Sequence, residues 1–311
     1  MINFENVSKF IISDVSLHIP KGTVTGLIGH TGAGKTTLVR LAAGLLLPER
    51  GRVRVMSEDP IAYRGKYGSK LSVFLAGVHH LADEDSAMTA LNMLQEMYRI
   101  PKDIFEARYN ELSERFGFKA YERNPLKSLS VGQRQRVELA SVFIMDSELM
   151  ILDEPEVGLD DMGKQALEEL IRDRASRGAT FLITSHNMAG ISKTCSRLAI
   201  LAKGHLIFHG SEDSLRSRYL PINTLTITYE GAIPNIDDLP IVRYRMEGKQ
   251  ISYDYNSRYI TASELMEVLM AQTEITDIKI KKPDLEQIVI SIMKSEEKDE
   301  FYRGKEHQQK I

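Results

Sequence analysis

A single cysteine, Cys195, among 311 residues excludes any disulfide within the chain. The N-terminal residues carry charge and no apolar signal core, which with the lone thiol predicts a reducing, cytosolic setting. Long apolar runs are also missing. The stretches at 41–47 and 71–78 fall far short of the ~18 residues that read as a membrane-spanning helix, so any membrane role has to come through a partner. Neither sign of charge dominates: 40 Lys and Arg face 43 Asp and Glu, for a net charge of -3. That balance leaves no basic footprint, and no nucleic-acid partner is expected. There is no short-period repeat and no low-complexity tract.

What remains is a globular mixture, 27% charged and 42% hydrophobic, long enough for about two domains. An apolar run at 24–29 reads as a buried strand, and the spacing of Leu38, Leu41, Ala42 and Leu45 predicts a helix over 35–46. Two further apolar runs, at 149–152 and 180–184, end in paired carboxylates and in Ser185-His186. Such runs, separated by helical stretches such as 164–177, predict an α/β fold with a mostly parallel sheet covered on both faces. Sheets of that kind bind ligands at the carboxyl ends of their strands.

The strongest chemical signal lies between the first of these strands and its helix. Gly29, His30, Thr31, Gly32, Ala33, Gly34, Lys35, Thr36 and Thr37 match G-x-x-x-x-G-K-[ST] in the context that pattern requires. The glycines let successive N–H groups turn inward onto phosphate oxygens, and the helix N-terminus adds its partial positive charge. Lys35 is expected to reach the β- and γ-phosphates and the Thr36 hydroxyl to ligate Mg²⁺, so a nucleoside triphosphate with Mg²⁺ is expected here, and ATP is the triphosphate that the family resemblance described below implies. The pattern alone names only a nucleoside triphosphate. Asp153, at the end of a buried strand, is placed to hold Mg²⁺ through water, and Glu154 beside it to polarise an attacking water as general base.

Three more motifs narrow the class. Leu129-Ser130-Val131-Gly132-Gln133, then Leu149 to Pro155 with Gly158-Leu159-Asp160, then Thr184-Ser185-His186 resemble the signature, Walker B, D-loop and switch-histidine elements of ABC ATPases. The resemblance covers residues 1–218, taken as an ABC nucleotide-binding domain with a helical subdomain at about 65–145. It implies that His186 contacts the γ-phosphate and orients the Glu154–water pair, and that Phe10 stacks on adenine. A phenylalanine in a first hairpin can equally be core. It also implies that Ser130, Gly132 and Gln133 bind the nucleotide of a second subunit head to tail, with a homodimer expected. Catalysis is thus assigned to Lys35, Glu154 and His186, and the metal to Thr36 and Asp153.

The pattern departs from the family at Val131, at Val157, and in having no glutamine between the phosphate loop and Gln95. That glutamine normally links nucleotide to permease; His80, Ala76, Gly77 and Glu84 are the alternatives for its position, with His80 expected to accept a hydrogen bond from a metal-bound water.

Beyond about 220 the texture changes. Leu225, Ile227 and Tyr229 alternate with polar residues, a hairpin is predicted at Glu247-Gly248, and Thr261 with Glu264 predicts a capping box opening a helix over 262–271. A small α+β domain is therefore expected at 222–293, followed by a charged tail at 294–311. Its pattern, ending in Pro283-Asp284-Leu285-Glu286-Gln287-Ile288-Val289, resembles the tail domain of ABC-2-type exporter ATPases. The expected function is ATP-driven export through a separate integral-membrane permease, at the cytoplasmic face of the cell membrane. The alternatives are a membrane sensor or resistance complex and a soluble ABC ATPase that moves no solute.

Overall fold

The structure is a computed structural model and describes residues 1–62, 70–186, 194–219, 222–236, 239–281 and 289. The chain divides into two compact units, Met1–Gly210 and Ser211–Ile311.

In the first unit a six-stranded sheet runs β5-β6-β7-β3-β8-β9. Strands β3 (Val24–Ile28), β5 (Leu71–Phe74), β6 (Leu149–Asp153), β7 (Thr180–Ser185) and β8 (Arg197–Ala202) are parallel, and β9 (His205–Gly210) closes one edge antiparallel. Every residue of β3, β6 and β7 is buried, which is why each reads as a continuous apolar run rather than an alternating one. Alternation persists in what each side chain packs against. Met150 and Leu152 face one core with Phe181, Ile183 and the helices Lys102–Arg115 (α3), Val131–Phe143 (α4) and Asp161–Ser176 (α5). Leu149 and Ile151 face another with Leu27 and Leu182, the helix Lys35–Ala42 (α1), and an antiparallel sheet of β2 (Ile12–Ile19), β1 (Ile2–Lys9) and β4 (Arg50–Val55).

Two boundaries differ from the sequence reading. The helix expected over 35–46 ends at Ala42, because Gly44 takes a φ of +69° and stops the helical path. Of the helical insertion expected from about 65, residues 63–69 lie outside the described residues. Leu71–Phe74 pairs with Leu149–Leu152 as a sheet strand, and the helices follow from Ala87–Met97 (α2) onward.

The second unit holds a sheet of order β11-β12-β10-β13, formed by Ile241–Glu247 (β11), Gln250–Asn256 (β12), Ile222–Glu230 (β10) and Glu274–Lys281 (β13). The hairpin turns at Gly248, φ +60°. Leu225, Ile227, Tyr229, Ile251, Tyr253 and Tyr255 form one core with Leu265 and Leu269 of α7 (Ala262–Met270). Its capping box is present: Thr261 N–H donates to Glu264 Oε2 at 2.8 Å, and Glu264 N–H to Thr261 Oγ1 at 3.2 Å. Helix α6 (Glu212–Tyr219), which the sequence reading kept with the first domain, falls in the second unit. Arg258 explains this by donating to the carbonyls of Ser217 and Arg218, so it caps the C-terminal end of α6 from within that unit. Residues 282–288 and 290–311, the latter including the tail expected at 294–311, lie outside the described residues.

Candidate active site

Adjacent strands bring the site together. The phosphate-loop motif follows β3, Asp153 ends β6 opposite Thr184 of β7, and Leu27 of β3 stands opposite that same Thr184. The carboxyl ends of β6, β7 and β3 therefore converge, and Asp153, Glu154, Ser185, His186 and the 29–37 loop leave the sheet side by side.

The loop is built for an anion. Gly34 sits at the N-cap of α1 with φ +105° and no side-chain cap, and no acidic residue occupies the first turn. The N–H groups of that turn are thus not answered by any side chain at the cap. The φ of +105° favours glycine at position 34, and a Cβ there would also lie 2.3 Å from Ile12 Cδ1, so that side chain would have to shift. Lys35 is 6% exposed, and its Nζ donates to the carbonyls of Gly29 at 2.7 Å and His30 at 3.3 Å. The same ammonium pairs with Glu154 Oε1 at 3.3 Å. His30, Thr31, Gly32 and Thr36 lie at the surface, Thr37 and Gly34 are half-buried and Ala33 is buried.

Thr36 Oγ1 donates to Asp153 Oδ2 at 2.9 Å, and Thr184 Oγ1 donates to Asp153 Oδ1 at 2.5 Å. Asp153 is 2% exposed and, among the described residues, pairs with no cation. A buried carboxylate satisfied only by two hydroxyls fits the charge of a divalent cation held with Thr36. Glu154 has a φ of +50°, a left-handed conformation uncommon for a non-glycine residue, fixed by its N–H donating to Thr184 Oγ1 at 2.9 Å. This turn splits the carboxylate between partners: Oε1 toward Lys35 and Oε2 toward His186 Nδ1.

Glu156 was not singled out from the sequence. It offers a carboxylate oxygen near Glu154 and His186, and it accepts from the Ser185 hydroxyl. Burial pushes its carboxyl above the ordinary range, with the Glu154 charge adding to the rise, against the Ser185 hydrogen bond. Thr184 was also missed as a contributor, although its strand-end hydroxyl in a buried run was the available signal.

Ser130 N-caps α4 in a full capping box with Gln133, and no hydrogen bond among the described residues joins Ser130, Gly132 or Gln133 to the 29–37 loop. Instead this segment is locked to the D-loop. A Cβ at Gly132 would meet the Gly158 carbonyl at 2.9 Å, Gln135 Nε2 donates to the Pro155 carbonyl at 3.3 Å, and Arg136 Nη2 donates to both carboxylate oxygens of Asp160, at 2.5 and 2.6 Å. Phe10 is 71% exposed with Lys9 Nζ 4.8 Å from its ring centroid, so the core alternative for this residue is excluded. His80 is not placed as expected. Its Nε2 accepts from Leu75 N–H at 3.3 Å, its ring packs near Phe74, and its own N–H donates to Glu138 Oε2 at 3.1 Å. The lone pair wanted for a metal-bound water is already used inside the loop. Glu84, the other polar alternative, pairs with Lys127 at 2.6 Å.

An uncapped phosphate loop with its lysine, a hydrogen-bonded Thr–Asp pair beside it and a carboxylate–histidine pair define a P-loop nucleoside triphosphatase. Comparison with known proteins gives the family. Residues 12–157 match the ABC transporter family. The ABC transporter ATP-binding protein NatA of Bacillus subtilis is 32% identical over 68% of this chain and 87% of its own length. The daunorubicin resistance ATP-binding protein DrrA3 of Streptomyces coeruleorubidus is 28% identical over 91% of both chains. The Nod factor export ATP-binding protein I of Bradyrhizobium diazoefficiens is 28% identical over 91% of this chain and 92% of its own. Among solved structures, an ATP-binding subunit of an ABC transporter superposes with a TM-score of 0.65 at 24% identity, covering 70% of this chain and 92% of that one. The dimeric ABC transporter cassette MJ0796 gives 0.61 at 19% identity, over 68% and 98%. The chain belongs to the ATP-binding subunits of ABC transporters, and it binds and hydrolyses ATP. No helix among the described residues is long and apolar enough to cross a membrane.

Proposed function

We propose that this chain drives export through a separate integral-membrane permease, working as a homodimer at the cytoplasmic face of the membrane. The observation that carries the reading is the convergence of Lys35, Thr36, Asp153, Glu154 and His186 at three adjacent strand ends. Export rather than import is supported by relatives named for Nod factor export and daunorubicin resistance, which match nine-tenths of the chain including the second unit. In this reading Thr36 and Asp153 hold Mg²⁺, Lys35 neutralises the β- and γ-phosphates, Glu154 takes the proton of the attacking water, and His186 orients that pair. Phe10 offers its exposed ring to the adenine. Ser130, Gly132 and Gln133 present hydroxyl and N–H donors to the γ-phosphate held by the other copy, since within one chain they turn toward the D-loop.

The test is to express the tagged chain in a native membrane background, isolate it with its partners, and measure Mg²⁺-dependent ATPase activity with and without them. The expected outcome is a polytopic membrane protein in the complex and stimulated hydrolysis. Recovery of the chain only from the soluble fraction, without a membrane partner, would count against transport.

A further inference from the structure

Glu138 lies in the second turn of α4 and is 2% exposed, a position that an apolar side chain would fill at less cost than a carboxylate. A buried acid retained in a helix interior needs partners, and here they come from the loop between β5 and α2. Glu138 Oε2 accepts the His80 backbone N–H at 3.1 Å, and Oε1 lies 3.4 Å from Arg134 Nε and 3.6 Å from His79 Nδ1. Arg134, 8% exposed and one turn earlier on the same helix face, continues the tie. Its Nη2 donates to the Leu81 carbonyl at 3.1 Å and its Nη1 to Asp83 Oδ1 at 2.6 Å. The guanidinium holds the Asp83 carboxyl below its ordinary range, chiefly through that hydrogen bond.

Two more backbone bonds join the same loop to the segment leading into α4, from Lys127 N–H to the Asp83 carbonyl at 3.0 Å and from Leu126 N–H to the Asp85 carbonyl at 2.8 Å. Arg134 N–H in turn donates to the Ser130 carbonyl at 2.8 Å, closing the first turn of the helix that Ser130 caps. Loop 79–85 and the N-terminus of α4 are therefore one hydrogen-bonded body.

We propose that Arg134 and Glu138 are positioning residues that fix Ser130 and its helix N-terminus relative to loop 79–85, and so set how well this half-site closes on the nucleotide held by a second copy. The proposal rests on the sandwich reading above. The residue that couples the loop to the signature segment is then the buried arginine–glutamate pair rather than a side chain reaching the metal. Loss of either partner leaves the phosphate loop of the same chain untouched and loosens only the trans half.

The experiment uses the full-length chain carrying Glu154→Gln, so that bound ATP is retained, and measures two quantities. One is affinity of the monomer for a fluorescent ATP analogue at low protein concentration. The other is the ATP concentration at half-maximal dimerisation, followed by light scattering. In Arg134→Ala and Glu138→Ala the analogue affinity is expected to stay within twofold of the parent, while the dimerisation midpoint rises at least tenfold. Glu138→Gln, which keeps an acceptor for the His80 N–H, is expected in between. Should the alanine variants fail to fold, Asp83→Ala removes the solvent-side anchor of Arg134 without disturbing the core, and a rise of about threefold in the midpoint is expected. Folded variants with an unshifted midpoint, or with analogue affinity falling in step with it, overturn the proposal. A parent that stays monomeric at saturating ATP overturns the sandwich reading and this proposal with it.

Discussion

Lys35 and Glu154 form an ion pair, Nζ to Oε1 at 3.3 Å, in a pocket where both side chains are largely buried. The lysine assigned to phosphate and the carboxylate assigned as base thus neutralise each other across the sheet ends, while the second oxygen of Glu154 meets His186. Phosphate oxygens would compete with Glu154 for Lys35, so nucleotide binding and release of the base are linked by one charge.

Replacing Glu154 by Gln keeps the shape and removes both the proton acceptor and the negative charge that competes for Lys35. ATP binding is expected to be kept or tightened, with hydrolysis falling roughly 10²–10⁴-fold, the usual contribution of a general base. Steady-state phosphate release and retained nucleotide, measured on the same preparation, check both halves. Normal turnover would remove Glu154 from its assigned role.

Thr184 holds two groups at once, donating to Asp153 Oδ1 and accepting from Glu154 N–H. Thr184→Val preserves volume and strips both bonds, leaving a buried carboxylate short of a donor; such a loss costs about 1–3 kcal/mol. The urea midpoint is expected to fall accordingly and the Mg²⁺ concentration for half-maximal activity to rise, whereas Thr184→Ser should keep both near wild type. An unchanged Mg²⁺ dependence in a folded Thr184→Val protein would separate Thr184 from the metal site.

If Ser130 serves the nucleotide of the partner, two different defects can complement. A Lys35→Ala chain lacks a working phosphate loop, and a Ser130→Arg chain lacks a working signature segment. A mixed dimer retains one intact composite site, so co-expression is expected to restore part of the ATPase activity that each variant alone lacks. Failure to recover any hydrolysis from co-purified mixed dimers would rule out action in trans within a homodimer.

The chemistry at the strand ends was legible because each functional residue follows a fully buried run, as Asp153 follows Leu149 to Leu152 and His186 follows Thr180 to Ser185. Local sequence carries that information. The capping boxes at Ser130 and Thr261 are equally local, and so is the Glu247-Gly248 hairpin. What could not be read depends on register between distant segments. Thr184 supports Asp153 only because β6 and β7 align those two residues, and Glu138 reaches His80 only because α4 packs against β5 and its loop. Apolar spacing also overran the end of α1, since Leu45 continues the helical period although the backbone has already turned at Gly44.

His80 is engaged with the backbone of its own loop rather than turned toward a metal-bound water. Burial is the main cause lowering its pKa, with Glu138 opposing and His79 adding to the fall, and Nε2 must stay unprotonated to accept the Leu75 N–H. The folded pKa lies below the unfolded value, near ~6.5. At pH below that value the unfolded chain therefore binds more protons, and stability is lost as pH falls from the unfolded pKa through the lower folded one. The groups facing the ring region are Glu138 and His79, so both remain in the comparison. His80→Gln offers an uncharged acceptor that does not titrate. Its urea midpoint should decline less between pH 7.5 and pH 5.5 than that of wild type, while His80→Ala should be less stable than wild type at pH 7.5 and also lack the extra acid-side loss. Basal ATPase activity is expected to persist in both variants, because the imidazole is engaged with the loop and not with the nucleotide. Parallel pH profiles for wild type and His80→Gln would show that the Leu75 hydrogen bond does not hold the imidazole neutral.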